Sequence, residues 1–159
     1  MKISDSETIE MSEMQYRFWE QKKLAELSHE EWELLCDHCG KCCLHKVEDD
    51  ESGKIYFTCV ACKLYDLESG GCRDYEHRAQ IVPDCIVLTA GKLDEINGLP
   101  RTCAYRLLHE GKALPVWHPL VSGSVKTVRE AGMNIQGFAI AEQEINLKHI
   151  KGFVLDSDL

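Results

Sequence analysis

Apolar residues arrive along this chain in short bursts, separated by charged and glycine-containing stretches, and each burst predicts a short element. Phe18 and Trp19 are the first positions able to enter a core, and residues 1 to about 15, acidic and hydroxyl-rich, are expected to form a mobile tail. Ser28 with Glu31 three residues on has the form of a capping box, ahead of Trp32, Leu34 and Leu35. A short helix should therefore deliver Cys36. The charged stretch Glu48 to Gly53 reads as a turn and Lys54 to Val60 as a strand, half of a hairpin, with a second turn at Glu68 to Gly71. Ile86 to Leu88 is a short apolar run. Thr102 to Gly111 reads as a capped helix ended by glycine. Pro115 to Pro119 should be extended, because proline disfavours helix in the residue before it. Asn134 to Ala141 carries a strand pattern, and Glu142 to Leu159 mixes a polar helix or turn with the run Gly152 to Leu155.

With 159 residues the chain is long enough to bury a real core without staples. Hydrophobic residues at 44% and charged residues at 28% are ordinary values for an ordered globular protein. The net charge of -9 opposes a polyanionic partner, so neither nucleic acid nor an anionic membrane surface is expected. The first fifteen residues lack the apolar core of a secretory signal, and no segment approaches the roughly 18 apolar residues of a membrane span. A cytoplasmic location is expected, and in a reducing compartment nine cysteines read as metal ligands or redox groups before disulfides.

Four of those cysteines lie in eight residues, Cys36-Asp37-His38-Cys39-Gly40-Lys41-Cys42-Cys43. A structural cysteine arrives singly as a small hydrophobe, whereas the rest of this segment is Asp, His, Gly and Lys, which no core would want. The spacing Cys36-x2-Cys39-x2-Cys42 matches the ferredoxin-type run that curls round one corner of a cubane, and it also contains the C-x2-C knuckle of zinc sites. Spacing alone is compatible with both. Gly40 offers the positive φ that lets a chain wrap a small object. Adjacent cysteines point in different directions, so Cys42 and Cys43 should serve different atoms, either in two metal sites or around one polynuclear cluster. Cys59, Cys62, Cys72, Cys85 and Cys103 are available to complete the set, and Cys59, in a strand pattern near Phe57, is the one to leave out.

The sequence resembles the CxxCxxCC family of zinc- or iron-chelating domains, and more closely its uncharacterised bacterial YcgN-type branch, UPF0260. The resemblance is carried by Phe18-Trp19, Glu31-Trp32-Glu33, the Cys36 to His45 segment, Ile55 to Thr58, Ala61-Cys62, Cys72-Arg73 with Tyr75, Glu76 and Arg78, Pro83-Asp84-Cys85, Thr102 to Leu108, and Trp117 to Leu120. It implies an eight-cysteine metal site at Cys36, Cys39, Cys42, Cys43, Cys62, Cys72, Cys85 and Cys103, outside which Cys59 falls. Some proteins with this domain are linked to lysine methylation of flagellin, but the resemblance implies no biochemical role for the branch itself.

The expected fold is α+β: a small single domain over residues 16–159, loop-rich, with short helices and a small antiparallel sheet around a cysteine metal site. The leading functional reading is a cytosolic protein binding an iron-sulfur cluster or zinc. An enzyme or accessory factor in redox chemistry or protein modification is the alternative, with Cys43, His45 and the Tyr75-Glu76-His77-Arg78 patch as its best residues. No paired carboxylates, phosphate-binding glycine loop or nucleophile elbow supports catalysis. A third reading is a metal-stapled module docking on a protein partner through Trp19 and Trp117. Asp84 is placed to orient a ligand or to make a turn, and Arg73, Arg78 and Arg106 to balance a thiolate site.

Overall fold

The computed structural model describes residues 17–159, so the expected tail over residues 1 to 15 lies outside the described residues. The chain enters through α1 (Phe18–Gln21), which buries Phe18 and Trp19. Next comes α2 (His29–Leu34), where Ser28 Oγ accepts the Glu31 amide at 3.1 Å and Glu31 Oε2 accepts the Ser28 amide at 2.9 Å. This is the capping box the sequence predicts, and it sets where the helix starts.

A hairpin of β1 (Leu44–Glu48) and β2 (Ile55–Ala61) follows, antiparallel and irregular between Leu44 and Lys46. The two-residue strand β5 (Ile140–Ala141) joins β2 in parallel, at Val60 and Ala61. The sheet is therefore mixed, where a wholly antiparallel one was expected. A second ribbon pairs β3 (Tyr65–Asp66) with β4 (Gly71–Cys72) across the predicted turn.

Helix α3 (Arg78–Ile81) is a single turn, and α4 (Ala104–His109) is the helix expected near Thr102. Its N-cap is Cys103, one residue later than expected, because the chain turns first, closing the Cys103 amide onto the Pro100 carbonyl at 3.1 Å. Two further expectations fail. Val116 and Trp117 form a turn closed by the His118 amide on the Pro115 carbonyl at 2.9 Å, and His118, preceding Pro119, is extended. Asn134 to Ala141 is strand only at β5, because the Asn134 side chain accepts the Gln136 amide at 2.8 Å and starts a 3-10 turn over Ile135–Gly137.

Two cores result. The first gathers Phe18, Trp19, Leu35, Leu93, Leu99, Ala104, Tyr105 and Leu114. The second, under the sheet, gathers Leu44, Ala61, Tyr65 and Ile135. The Cys36 to Cys43 segment crosses between them. Among the described residues, no helix is long and apolar enough to cross a membrane.

Candidate metal centre

The cysteine segment is pinned at both ends. Leu35, just after α2, is fully buried, and its carbonyl accepts from Nε2 of His118 at 2.9 Å. His118 Nδ1 accepts the Leu120 amide at 3.1 Å, so Nε2 carries the ring's proton and both nitrogens are spent on backbone. His118 is thus a buried strut. Beyond it, His38 (φ 57) and Gly40 (φ 79) both adopt left-handed backbone, which bends the chain sharply twice. A Cβ at Gly40 would come within 2.7 Å of the Tyr65 hydroxyl and 2.8 Å of Ile135 Cγ1, so glycine is required for space as well as for φ. The Ile135 amide holds the Cys39 carbonyl at 2.9 Å. The Cys43 amide closes onto Gly40 at 2.9 Å as the chain enters β1.

All nine cysteines are free thiols. Cys36 lies within electrostatic reach of Cys42 and Cys103, and Cys39 within reach of Cys42. Cys43 has Cys62 and Cys72 as neighbours, and Cys85 has Cys42, Cys62 and Cys72. The Cys62 amide donates to the Cys43 carbonyl at 2.9 Å, and β4 sets Cys72 opposite Tyr65. Cys42 and Cys43, expected to diverge, meet through a thiol-to-thiol hydrogen bond, though their other neighbours differ. Cys59, midway along β2, is not among the principal electrostatic neighbours of those thiols. Among the described residues, no three Cys, His, Asp or Glu side chains converge tightly enough, as placed, to grip one ion.

Burial is the first cause of raised thiol pKa values here, taking Cys36 up to about 12 and Cys103 to about 11, and lifting Cys39, Cys62 and Cys85 as well. Backbone amides work against it. Those of His38, Lys41 and Leu64 face the sulfurs of Cys36, Cys39 and Cys62, each two residues back. The first amides of α4, from Tyr105 and Arg106, likewise face Cys103, without closing a capping hydrogen bond. Cys42 is lowered to about 7, first by its hydrogen bond with Cys43 and then by the Lys46 charge, while Cys43 is raised in return. Lys46 Nζ donates to the Cys42 and Leu44 carbonyls at 2.8 and 2.9 Å and so holds its charge over the thiols.

Three buried polar groups test whether a metal suits these residues. Among the described residues, the buried side-chain polar atoms without a partner are Asp37 Oδ2 and the Tyr65 hydroxyl. Both sit at the cysteines. Asp37, 8% exposed, uses Oδ1 to accept the Cys39 amide at 3.0 Å, and its charge reaches Cys36, Cys39, Cys42 and Cys103. The Cys39 thiol lies beside this carboxylate, yet Oδ2 has no hydrogen bond of acceptable geometry. Tyr65 faces Cys43, Cys39 and Cys42. Lys41, 5% exposed, donates only to Thr102 Oγ1 at 3.1 Å and Met133 Sδ at 3.6 Å, both uncharged. An orphaned carboxylate oxygen calls for a cation, whereas an orphaned hydroxyl and an ammonium with neutral partners call for an anion. A metal-thiolate group carries both signs, so the donor set fits one. The expectation that Asp37 and Lys41 are unwelcome in an interior is overturned, and with Lys46 and Tyr65 they are the site residues that sequence spacing misses. Only their interleaving with the cysteines hinted at Asp37 and Lys41.

The other candidates are engaged elsewhere. His45 Nε2 pairs with Glu142 at 2.5 Å, and His77 Nδ1 with Asp74 at 2.8 Å on the surface. The Tyr75 hydroxyl donates to Glu33 at 2.9 Å, and Arg78 stacks 3.8 Å over the Tyr75 ring while its charge reaches Cys85. Arg73 and Arg106 donate to the carbonyls of Lys63 and Leu99. Asp84 is exposed, Trp19 buried and Trp117 half-buried.

Residues 35–104 match the CxxCxxCC family model, described as "Putative zinc- or iron-chelating domain". The chain is 54% identical over 133 residues to a UPF0260 protein of Rhizorhabdus wittichii, covering 83% of this chain and 91% of that one. A UPF0260 protein of Rhizobium johnstonii is 52% identical over 139 residues, with 87% and 88% covered. One from Parvibaculum lavamentivorans is 46% identical over 145 residues, with 91% and 95% covered. No solved structure matches the chain.

Proposed function

The chain belongs to the UPF0260 family and carries a CxxCxxCC domain, and from this premise we propose that it is a cytosolic metal-binding protein whose eight cysteines, Cys36, Cys39, Cys42, Cys43, Cys62, Cys72, Cys85 and Cys103, hold iron-sulfur or zinc. The observation that carries the reading is that Asp37 Oδ2 and the Tyr65 hydroxyl, the unpartnered buried polar side-chain atoms among the described residues, both lie at these thiols. Bound metal would supply positive charge to Asp37, and its thiolates would accept from Tyr65. The amides facing Cys36, Cys39, Cys62 and Cys103 favour the thiolate that a metal needs. Thiolates persist in a reducing compartment, which is the ground for the cytosolic location.

Because the donors do not converge as they stand, uptake draws them together and orders the loops that bear them. Protein purified without oxygen should contain more than one metal atom per chain. Brown colour with acid-labile sulfide identifies iron-sulfur, and colourless protein with zinc identifies the filled d shell. Wild-type protein that holds neither, and takes up neither on reconstitution, contradicts the reading.

A further inference from the structure

We infer that the eight thiols divide into two four-thiol centres, one of Cys36, Cys39, Cys42 and Cys103 on the first core, the other of Cys43, Cys62, Cys72 and Cys85 on the second. The division rests on the metal-binding reading above and assigns each cysteine within it.

The two cores carry different cysteines. Cys36 and Cys103 pack at the rim of the first, and Cys43 packs against the second. Cys36 and Cys103 are 67 positions apart in the chain, and two ties bring them together: the Tyr105 hydroxyl donates to the Trp32 carbonyl at 2.7 Å, and His118 holds Leu35. Cys42 completes this group, with Cys36, Cys39 and Cys103 all in its reach. Asp37 is among the principal electrostatic neighbours of these four thiols and not of Cys43, Cys62 or Cys85.

Backbone pairing builds the second group. Leu44 lies opposite Ala61, so Cys43 and Cys62 emerge side by side at the end of the β1-β2 hairpin. Tyr65 then turns on the Cys62 carbonyl at 2.8 Å, and its β4 partner is Cys72. Cys85 arrives after α3 with Cys62 and Cys72 in reach, and with Cys42, at the seam, in reach as well. Beyond Cys42 and Cys43 themselves, Cys36, Cys39 and Cys103 count no sulfur of the second group among their principal neighbours. The seam is the Cys42-Cys43 peptide, whose two thiols meet each other but otherwise have different neighbours. Four thiols are what a tetrahedral zinc or a cubane requires, so the division uses all eight and leaves Cys59 over.

The test uses full-length protein purified without oxygen. In the wild type, stepwise chelation with alkylation read peptide by peptide should free Cys43, Cys62, Cys72 and Cys85 in one step and Cys36, Cys39, Cys42 and Cys103 in another. Release of all eight together, or of mixed sets, overturns the division. Among variants, Cys103→Ser should lose half the metal, and adding Cys36→Ser should lose no more, since both serve one centre. Joining Cys103→Ser with Cys72→Ser should remove it all. A within-centre pair that strips all metal, or a cross-centre pair that keeps half, overturns the division while leaving metal binding intact. Wild-type protein without metal overturns both.

Discussion

The first core gathers eight buried side chains, Leu35 and Tyr105 among them, whereas the second gathers four under a three-stranded sheet and a two-stranded ribbon. The first half buries the more apolar side chains, and burial there pushes Cys36 to about 12 and Cys103 to about 11. In the second half, burial raises Cys62 and Cys85 too, and the ribbon bearing Cys72 is two residues per strand. Such a ribbon is not stable alone in water. One half therefore presents thiols from a formed scaffold, and the other needs something at the thiols to be a scaffold.

Chelation breaks this contrast most forcefully. Amide exchange over residues 62–85 should rise by about tenfold or more on metal removal, while that of α4 and Leu35 changes little. Equal loss of protection in both halves would show that the first core depends on metal as much as the second does. Next in size is Gly40→Ala. Its left-handed φ and the 2.7 Å approach of the Tyr65 hydroxyl should cost about 2 to 4 kcal/mol in denaturant unfolding. Metal content should fall in both centres, because the bend at Gly40 sets the path to Cys42 and Cys43 alike. His118→Ala sharpens the comparison. Losing the strut leaves the Leu35 carbonyl unpaired at a cost of about 1 to 3 kcal/mol, and should weaken metal retention at Cys36 and Cys103 while sparing Cys62 and Cys72. Equal weakening at both sets would remove the distinction.

Local rules made some of this legible from sequence. The Ser28 capping box, the bend at Gly40 and the hairpin around Glu48 to Gly53 depend on residues within a few positions of each other. The cysteine spacing raised the metal reading for the same reason. What stayed hidden depends on distant partners. Nothing near Leu35 announces that His118 will hold it, and nothing near Cys36 announces Cys103. Asp37 and Lys41 read as residues no core would want because burial of a charge is decided by what surrounds it, here the thiols about Asp37 and Thr102 and Met133 about Lys41. The strand pattern at Asn134 failed because a side-chain cap at Asn134 outcompeted strand pairing.

The most direct test of the eight-thiol site is a count of reactive thiols in the native protein, purified without oxygen and with its metal retained. Under brief alkylation Cys59 should be modified alone, and Cys36, Cys39, Cys42, Cys43, Cys62, Cys72, Cys85 and Cys103 should react only once a chelator has removed the metal, Cys42 included despite its exposure to solvent. Rapid alkylation of several of these eight in protein that keeps its full metal content would contradict the assignment.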